Sequence, residues 1–355
     1  MKNLVKKINR RIPDSWRKSQ RATGICAALL GRCEGFDSAF HGEFSRAVNR
    51  YCAETHTAPG TVRREMLREY VRGWVTPSEF YKFLMMQKSD EQRRGFISEF
   101  EGLAIFKDPA FNILPNDKYA RYQLFSGYFH REVLRVTGQG GQSEETLYQA
   151  FIKRNQTFIA KTIMGAKGHG VRKCDAGEVP DVATLIALMG GACIVEALID
   201  QGGELAVFHP QSVNTVRFVT AANDDGEVSM LFALLRVGRG DSVVDNVGSG
   251  GLVAAIDMDS GRVCTDGLCG WDYYAEHPDT LVPFRGTQLP SWQSLQLMAC
   301  RMHAEQPAQR LFGFDFAWAA DGWDIVEVNP APSFVSWQTL TQEGIRPVLT
   351  ERRIL

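Results

Sequence analysis

The chain has 355 residues, 44% of them hydrophobic and 23% charged, with a formal net charge of −1. That is a globular balance, long enough for two or more packed lobes, and it excludes a global field drawing the chain to nucleic acid or membrane. Eight cysteines without a CxxC pair match no familiar zinc pattern and suit free thiols in a reducing cytosol.

The opening MKNLVKKINRRI reads as a basic amphipathic helix with Leu4, Val5, Ile8 and Ile12 on one side. It either packs on its own domain or docks on an anionic membrane surface or a partner. The apolar run Ile25–Leu30 is too short for a signal peptide and no cleavage site follows. No segment is apolar enough to span a bilayer, so the expected location is cytoplasmic. Residues 1–115 are predicted to be mainly helical, with Met66, Leu67, Tyr70, Val71 and Trp74 at helical period. Thr76-Pro77-Ser78-Glu79 predicts a helix start, with Thr76 as N-cap, proline in the first turn and Glu79 closing a capping box. Asp108-Pro109 and Leu114-Pro115 break the pattern and set a boundary.

From residue 116 to 198 helix and strand alternate. Helices are predicted over 118–129, 144–154 and 182–189, and strands over 157–163, 171–174 and 193–198. From 199 to 355 strands dominate. Residues 214–222 and 227–237 form a hairpin around Asn223-Asp224-Asp225-Gly226, and 252–258 and 262–264 follow. A helix over 292–303 leads to a last hairpin, 311–329, turning at Ala320-Asp321-Gly322. The fold class is α+β with a mainly helical N-terminal region.

That last hairpin carries the strongest chemical signal. Asp315 lies on one strand, and Glu327 and Asn329, two apart, share a face of the next. Oxygen donors on a rigid hairpin suit a hard cation such as Mg²⁺ carrying phosphates. Asp315 joins that face only if the loop has three residues, with Gly322 left-handed, because a two-residue loop turns it away. Ordinary solvated acids on a surface hairpin are the competing reading.

Other segments add phosphate chemistry. Lys161 sits in an apolar strand, where an ammonium needs an anion, and Gly165-Ala166-Lys167-Gly168-His169-Gly170 follows. Its glycines let backbone amides approach anionic oxygens, although a flexible hairpin connection has the same composition. It is neither a Walker loop nor a dinucleotide fingerprint. Cys193–Ile199 is an apolar strand and linker whose backbone at Ala197 and Ile199 suits adenine. Glu196 is a candidate to accept from its exocyclic amine and Glu204, further on, to reach ribose, while a simple strand-end cap is the competing reading of such acids. Arg217 and Arg236 share a face if their hairpin loop has two or four residues, and two guanidiniums there need anions. Structural pairing with Asp241 or Asp245 is the alternative. Val244–Gly251, with Asp245, Asn246 and four glycines or serines, has the density of a ligand-closing loop or of an irregular turn. His209, ahead of Asn214 in HPQSVNT, is an acid–base candidate or a structural histidine.

Taken in order, Lys118, Lys161, the loop 165–170, Glu196, Arg217, Asp315, Glu327 and Asn329 resemble the ATP-grasp fold. HPQSVNTVRFVT, LLRVGRGDSVVDNVGSGGL and GFDFAWAADGWDIVEVNP resemble its sugar-transfer-associated branch, related to glutamate ligases of the ribosomal-modification type. The resemblance spans roughly residues 74–340. It implies two α+β lobes gripping ATP, with two Mg²⁺ ions. It also implies regions 1–115, 116–198 with the glycine-rich lid, and 199–355 with the metal and phosphate site. Lys118 and Lys161 are then phosphate ligands, and Gly165, Lys167, Gly168, His169 and Gly170 close over the phosphates. Glu196 reads adenine, and Asp315, Glu327 and Asn329 hold magnesium. Arg217, with Arg236 beside it, stabilises the phosphoryl group and the later tetrahedral species. His209, Asn214, Asp245, Asn246 and Ser333 are left as substrate contacts. The implied reaction joins a small-molecule carboxylate to an amine through an acyl phosphate, with a sugar or an amino acid as the candidate substrate class. A phosphotransferase on the same clamp and a non-catalytic ATP-binding partner are the alternatives. The chain departs from the family in its helical start and in Pro330-Ala331-Pro332-Ser333, where many ligases carry glycine.

Overall fold

A computed structural model describes residues 38–355 apart from 74, 107–111, 165–169, 243, 244 and 246. The basic segment 1–12, Trp74, most of the lid loop (Gly165, Lys167, Gly168 and His169) and Asn246 therefore lie outside the described residues. In chain order the helices are α1 (Ser38–Thr55), α2 (Pro59–Gly73), α3 (Pro77–Lys82), α4 (Asp90–Gly95), α5 (Glu99–Phe106), α6 (Lys118–Leu124), α7 (Gly141–Arg154), α8 (Val182–Met189), α9 (Gly203–Ala206), α10 (Trp292–Ala304), α11 (Val335–Thr341) and α12 (Arg346–Glu351). The strands are β1 (Val133–Val136), β2 (Thr157–Thr162), β3 (Val171–Asp175), β4 (Cys193–Ala197), β5 (Thr215–Ala222), β6 (Val228–Val237), β7 (Leu252–Ile256), β8 (Gly267–Cys269), β9 (Asp272–Tyr274), β10 (Leu311–Ala319) and β11 (Gly322–Asn329).

The described chain divides into two compact units. One gathers residues up to Ile105 with Ser333–Glu351 and Leu355, and the other holds Phe106–Pro332 with Arg352–Ile354. In the first unit Thr76 and Glu79 cap α3 reciprocally, as the sequence predicts. Ser89 and Gln92 do the same for α4. Residues 333–351 belong here, not with the strands that precede them. The reason is Gln338, which is fully buried, accepts from the Ile97 amide at 2.9 Å and donates to the Ile97 carbonyl at 2.7 Å. A side-chain amide thus satisfies both backbone groups of one residue, a pairing that separation along the chain conceals.

The second unit holds two antiparallel sheets. The four-stranded sheet runs β1-β4-β2-β3. One of its faces presents Val136, Phe158, Ala160, Cys174, Cys193 and Val195, packed with Tyr148 and Phe151 of α7 and Leu185 of α8. Period-two alternation puts Ile159, Lys161, Val171, Lys173 and Glu196 on the other face. The seven-stranded sheet runs β11-β10-β5-β6-β7-β8-β9. Val216, Phe218, Ala233, Leu235, Phe312, Phe314 and Phe316 cluster with Trp292, Leu295, Ala299 and Met302 of α10. The opposite face carries Arg217, Arg236, Asp315 and Glu327.

Several expectations are corrected. Residues 262–264 form only isolated bridges from Val263 to Ile256 and from Arg262 to Gln288, not a strand. The short strands β1, β8 and β9 were not anticipated. β1 has four residues, and its pairing to β4 is long-range, so periodicity does not reveal it. Both functional hairpins have the loop parity that was expected to misplace their side chains. In the last hairpin Ala319 pairs with Gly322, leaving a two-residue loop with Gly322 at φ +119°. A β-bulge follows: Phe316 pairs with Ile325 but Asp315 pairs with Glu327, so Val326 is the extra residue. In the arginine hairpin the outer pair Ala222–Val228 and the Asn223–Glu227 backbone bond leave a three-residue loop. A shift between Val219–Phe232 and Thr220–Met230 leaves Leu231 extra and restores the common face of Arg217 and Arg236. The side chains converge because bulges, not loops, set the register.

Candidate active site

The polar faces of the two sheets border one cavity of about 360 Å³. Lys118, Lys161, Glu196, Ala197, Ile199, Arg236, Asp245, Asp315 and Glu327, all anticipated, line it with Arg131, Lys173, Asp200 and Gln201. Ile159, Val171, Leu198 and Val326 supply apolar wall. Among the described residues five basic side chains and five carboxylates thus face one space, close to charge balance.

On the four-stranded side, Lys161 on β2 and Glu196 on β4 are diagonal neighbours, and the ammonium donates to Glu196 Oε2 at 2.9 Å. A carboxylate therefore already balances the half-buried strand lysine. Glu196 also accepts from Arg131 Nη2 at 2.6 Å and Nε at 3.1 Å. Burial opposes its ionisation, but Lys161 and Arg131 prevail and hold the carboxyl down at about 2. Lys118 opens α6 behind the Asp117 N-cap, and its Nζ donates to the Thr162 carbonyl at 3.2 Å. Burial lowers its pKa, and Glu327 works against that shift. Gly170, the described end of the lid loop, has φ +80°, and its carbonyl accepts from Thr162 N at 3.0 Å.

On the seven-stranded side, Asp315 is buried at the centre of a row formed by Glu327, Asp315 and Arg217. It accepts from Arg217 Nε, from Arg217 Nη2 at 2.7 Å and from Arg236 Nη1 at 2.9 Å. Burial again opposes ionisation, and the two guanidiniums lower the pKa despite it. Arg236 also reaches Asp245 at 3.2 Å, and Asp245 accepts from the Thr215 hydroxyl. The structural pairing considered for the arginines is thus present, with Asp245 and Asp315 as partners. Asn329 Nδ2 lies 3.4 Å from Asp315 Oδ2. Glu327 makes no ion pair among the described residues, although it is half-buried at the cavity wall.

Arg217, Asn329 and Gly170 are not among the residues lining the cavity, and His209, Asn214, Glu204 and Ser333 also stand apart from it. His209 is buried with Nδ1 at 2.9 Å from the Ser212 hydroxyl and Nε2 at 2.8 Å from the Gly240 carbonyl. Asn214 is fully buried, with Nδ2 donating to the carbonyls of Leu205 and His209. With these polar atoms satisfied internally, both residues brace the turn before β5 rather than reach substrate. Glu204 is exposed and accepts from the Trp318 indole at 2.8 Å, while Asp200 and Gln201 line the cavity at that end of the linker. Ser333 belongs to the first unit, where its hydroxyl donates to Glu99.

The donor set suits Mg²⁺ in kind: two carboxylates and an amide at adjacent ladder positions, with Glu327 in no ion pair among the described residues. Among the described residues no group of three or more His, Cys, Asp or Glu side chains could hold a metal, so any site here depends on Asn329 or ligand oxygens.

A family model described as sugar-transfer associated ATP-grasp matches residues 116–353. The chain belongs to this family. Its α+β architecture of antiparallel sheets with a helical N-terminal region is accordingly an ATP-grasp fold. No curated protein matches. Among solved structures, N5-carboxyaminoimidazole synthetase from Staphylococcus aureus complexed with ADP is 11% identical, with a TM-score of 0.39, covering 61% of this chain and 45% of its own. D-alanyl-alanine synthetase A from Vibrio cholerae is 11% identical, with a TM-score of 0.40 and coverage of 70% and 61%. ATP-grasp ligase PsnB complexed with minimal precursor is 14% identical, with a TM-score of 0.39 and coverage of 82% and 74%. The chain spans less than two thirds of the length of the first two. No described helix of this ATP-grasp protein is long and apolar enough to cross a membrane.

Proposed function

We propose that this chain is an ATP-dependent carboxylate–amine ligase releasing ADP and phosphate. The observation that carries the reading is the convergence of Lys118, Lys161, Glu196, Arg236, Asp315 and Glu327 on one cavity in a chain of the ATP-grasp family. A carboxylate in water is a poor electrophile, so joining it to an amine requires activation. A substrate carboxylate oxygen attacks the γ-phosphorus, the bond to the bridging oxygen breaks, and ADP leaves. The amine nitrogen then attacks the acyl carbon, the nitrogen loses its proton, and phosphate departs as the amide forms.

In this reading Ala197 and Ile199 border the adenine and Glu196 accepts from its amine. Lys118 and Lys161 orient the phosphates, and the loop 165–170 covers them. Arg217 and Arg236 stabilise charge on the transferred phosphoryl group and on the tetrahedral oxyanion. Asp315, Glu327 and Asn329 are the residues that would hold magnesium, which when bound supplies positive charge against the phosphate oxygens. The near balance of charge lining the cavity makes that contribution necessary, since a triphosphate brings several negative charges. The family description favours a carboxylated sugar, or an amino acid joined to a sugar-like acceptor, as the substrate class. The protein is proposed to act in the cytoplasm.

Incubation with ATP, Mg²⁺ and mixed carboxylates and amines is expected to release ADP and phosphate with an amide product. Formation of AMP, or a stable phosphorylated substrate without free phosphate, overturns the proposal.

A further inference from the structure

Arg131 is absent from the functional reading above, yet no side chain of the cavity wall is more fully committed. It precedes β1 in His130-Arg131-Glu132, an ordinary charged run, and its acidic partners lie 65 and 193 positions away. Its side chain is only 5% exposed. Toward the four-stranded sheet it donates Nε and Nη2 to Glu196, at 3.1 and 2.6 Å. Toward the seven-stranded sheet it donates Nη1 to Asp324 Oδ2 at 2.9 Å and to the Ile325 carbonyl at 2.6 Å. Nη2 also lies 3.5 Å from the Val326 carbonyl. A guanidinium has five N–H donors in a planar fork, and this set of acceptors matches them. The plane lies over the Phe129 ring, 5.0 Å from its centroid.

The two carbonyls belong to the bulge. Val326 is the extra residue that puts Glu327 opposite Asp315, and β11 is an edge strand, so no further strand meets the outward-facing carbonyls. Without donors at Ile325 and Val326, a regular ladder through the bulge would place Val326 opposite Asp315 and turn Glu327 to the other face. Asp324, on the near side of the bulge, is 4% exposed and also accepts from His130 N at 3.0 Å.

We propose that Arg131 is a positioning residue that sets two parts of the site at once. It fixes the Glu196 carboxylate on the four-stranded sheet, and it holds the β11 bulge that aims Glu327 at Asp315. The proposal rests on the nucleotide and magnesium roles given to Glu196 and Glu327. Lysine does not replace it, because one ammonium offers three donors from a single point and cannot span both sheets.

The test uses Arg131→Lys and direct binding of ADP by calorimetry across a Mg²⁺ titration, with thermal melts to establish folding. Folded R131K is expected to bind ADP about 10–100-fold more weakly and to need about 10–100-fold more Mg²⁺, the range for residues that orient metal ligands. The shift in Mg²⁺ dependence is expected to vanish in a Glu327→Gln background, since Arg131 acts on the metal through Glu327. A merely structural arginine leaves that dependence unmoved and adds independently to the second substitution. If R131K does not fold, Asp324→Asn serves, removing one anchor of the guanidinium while keeping it, with a smaller shift of the same sign. Native ADP affinity and native Mg²⁺ dependence in a folded R131K or D324N overturn the proposal. Failure of the unmodified protein to bind ADP at any Mg²⁺ concentration defeats instead the ligase reading beneath it.

Discussion

Asp315 faces Glu327 across the β10–β11 ladder because Val326 is left unpaired between them and the turn. The two carboxylates line the same cavity but differ in burial and in charge partners. Asp315 is buried between Arg217 and Arg236, whereas Glu327 is half-buried and makes no ion pair among the described residues. One is part of the fold's internal charge balance, and the other is available to a ligand.

That difference separates two substitutions. Glu327→Gln is expected to leave stability within about 0.5 kcal/mol of the parent. Asp315→Asn strands the Arg217 guanidinium and leaves Arg236 with Asp245 as its carboxylate partner, and it is expected to cost about 3–5 kcal/mol. Both should lower Mg²⁺-dependent turnover by roughly 10²–10³. Denaturant melts and steady-state rates check this, and near-normal turnover in both variants rules out the metal assignment.

Lys161→Met leaves Glu196 paired with Arg131 alone and removes a cation from the cavity. Adenine-nucleotide affinity is expected to fall about 10–100-fold, the loss typical of a charged hydrogen bond. Calorimetric titration reads it, and unchanged affinity counts against the phosphate role.

Glu196 makes stability depend on acid. Burial opposes its charge, but Lys161 and Arg131 hold its folded pKa at about 2, against 4.5 for an unperturbed glutamate. The folded state therefore binds fewer protons between those values, and stability rises with pH there. The contribution is fully present above about 4.5 and disappears as pH falls through 2. Glu196→Gln should be about 3 kcal/mol less stable near neutrality, with the gap closing in acid. A gap that stays constant as pH falls from 4.5 toward 2, with both proteins folded, contradicts the ion triad.

Gly313 sits beside Arg217 in the ladder's next row. An added Cβ would stand 2.7 Å from Pro332 Cβ and 3.1 Å from Arg217 Cδ. Since the proline ring cannot yield, Gly313→Ala is expected to displace Arg217 and cost about 1–3 kcal/mol. Turnover should fall along with the melting temperature. A variant with native stability and rate would show that the strand shifts freely at this point.

The amino-acid sequence alone determined the α+β class, most strands and helices, and the order of chemical groups. It did so because apolar residues alternate at period two in β10, run almost unbroken in β6 and recur at helical period in α7. The N-terminal capping box was equally legible, being complete within four residues. Local pattern could not decide register. Loop parity alone would have sent Asp315 and one arginine to the wrong faces, and single extra residues at Val326 and Leu231 reversed that outcome. Nor could it decide which polar residues reach the cavity. His209 and Asn214 are spent on nearby hydroxyl and carbonyl groups. Arg131, an unremarkable charge in the sequence, is fixed by acceptors from strands far along the chain. Hydrogen-bond partners are chosen by proximity in space, and only the folded chain supplies that proximity.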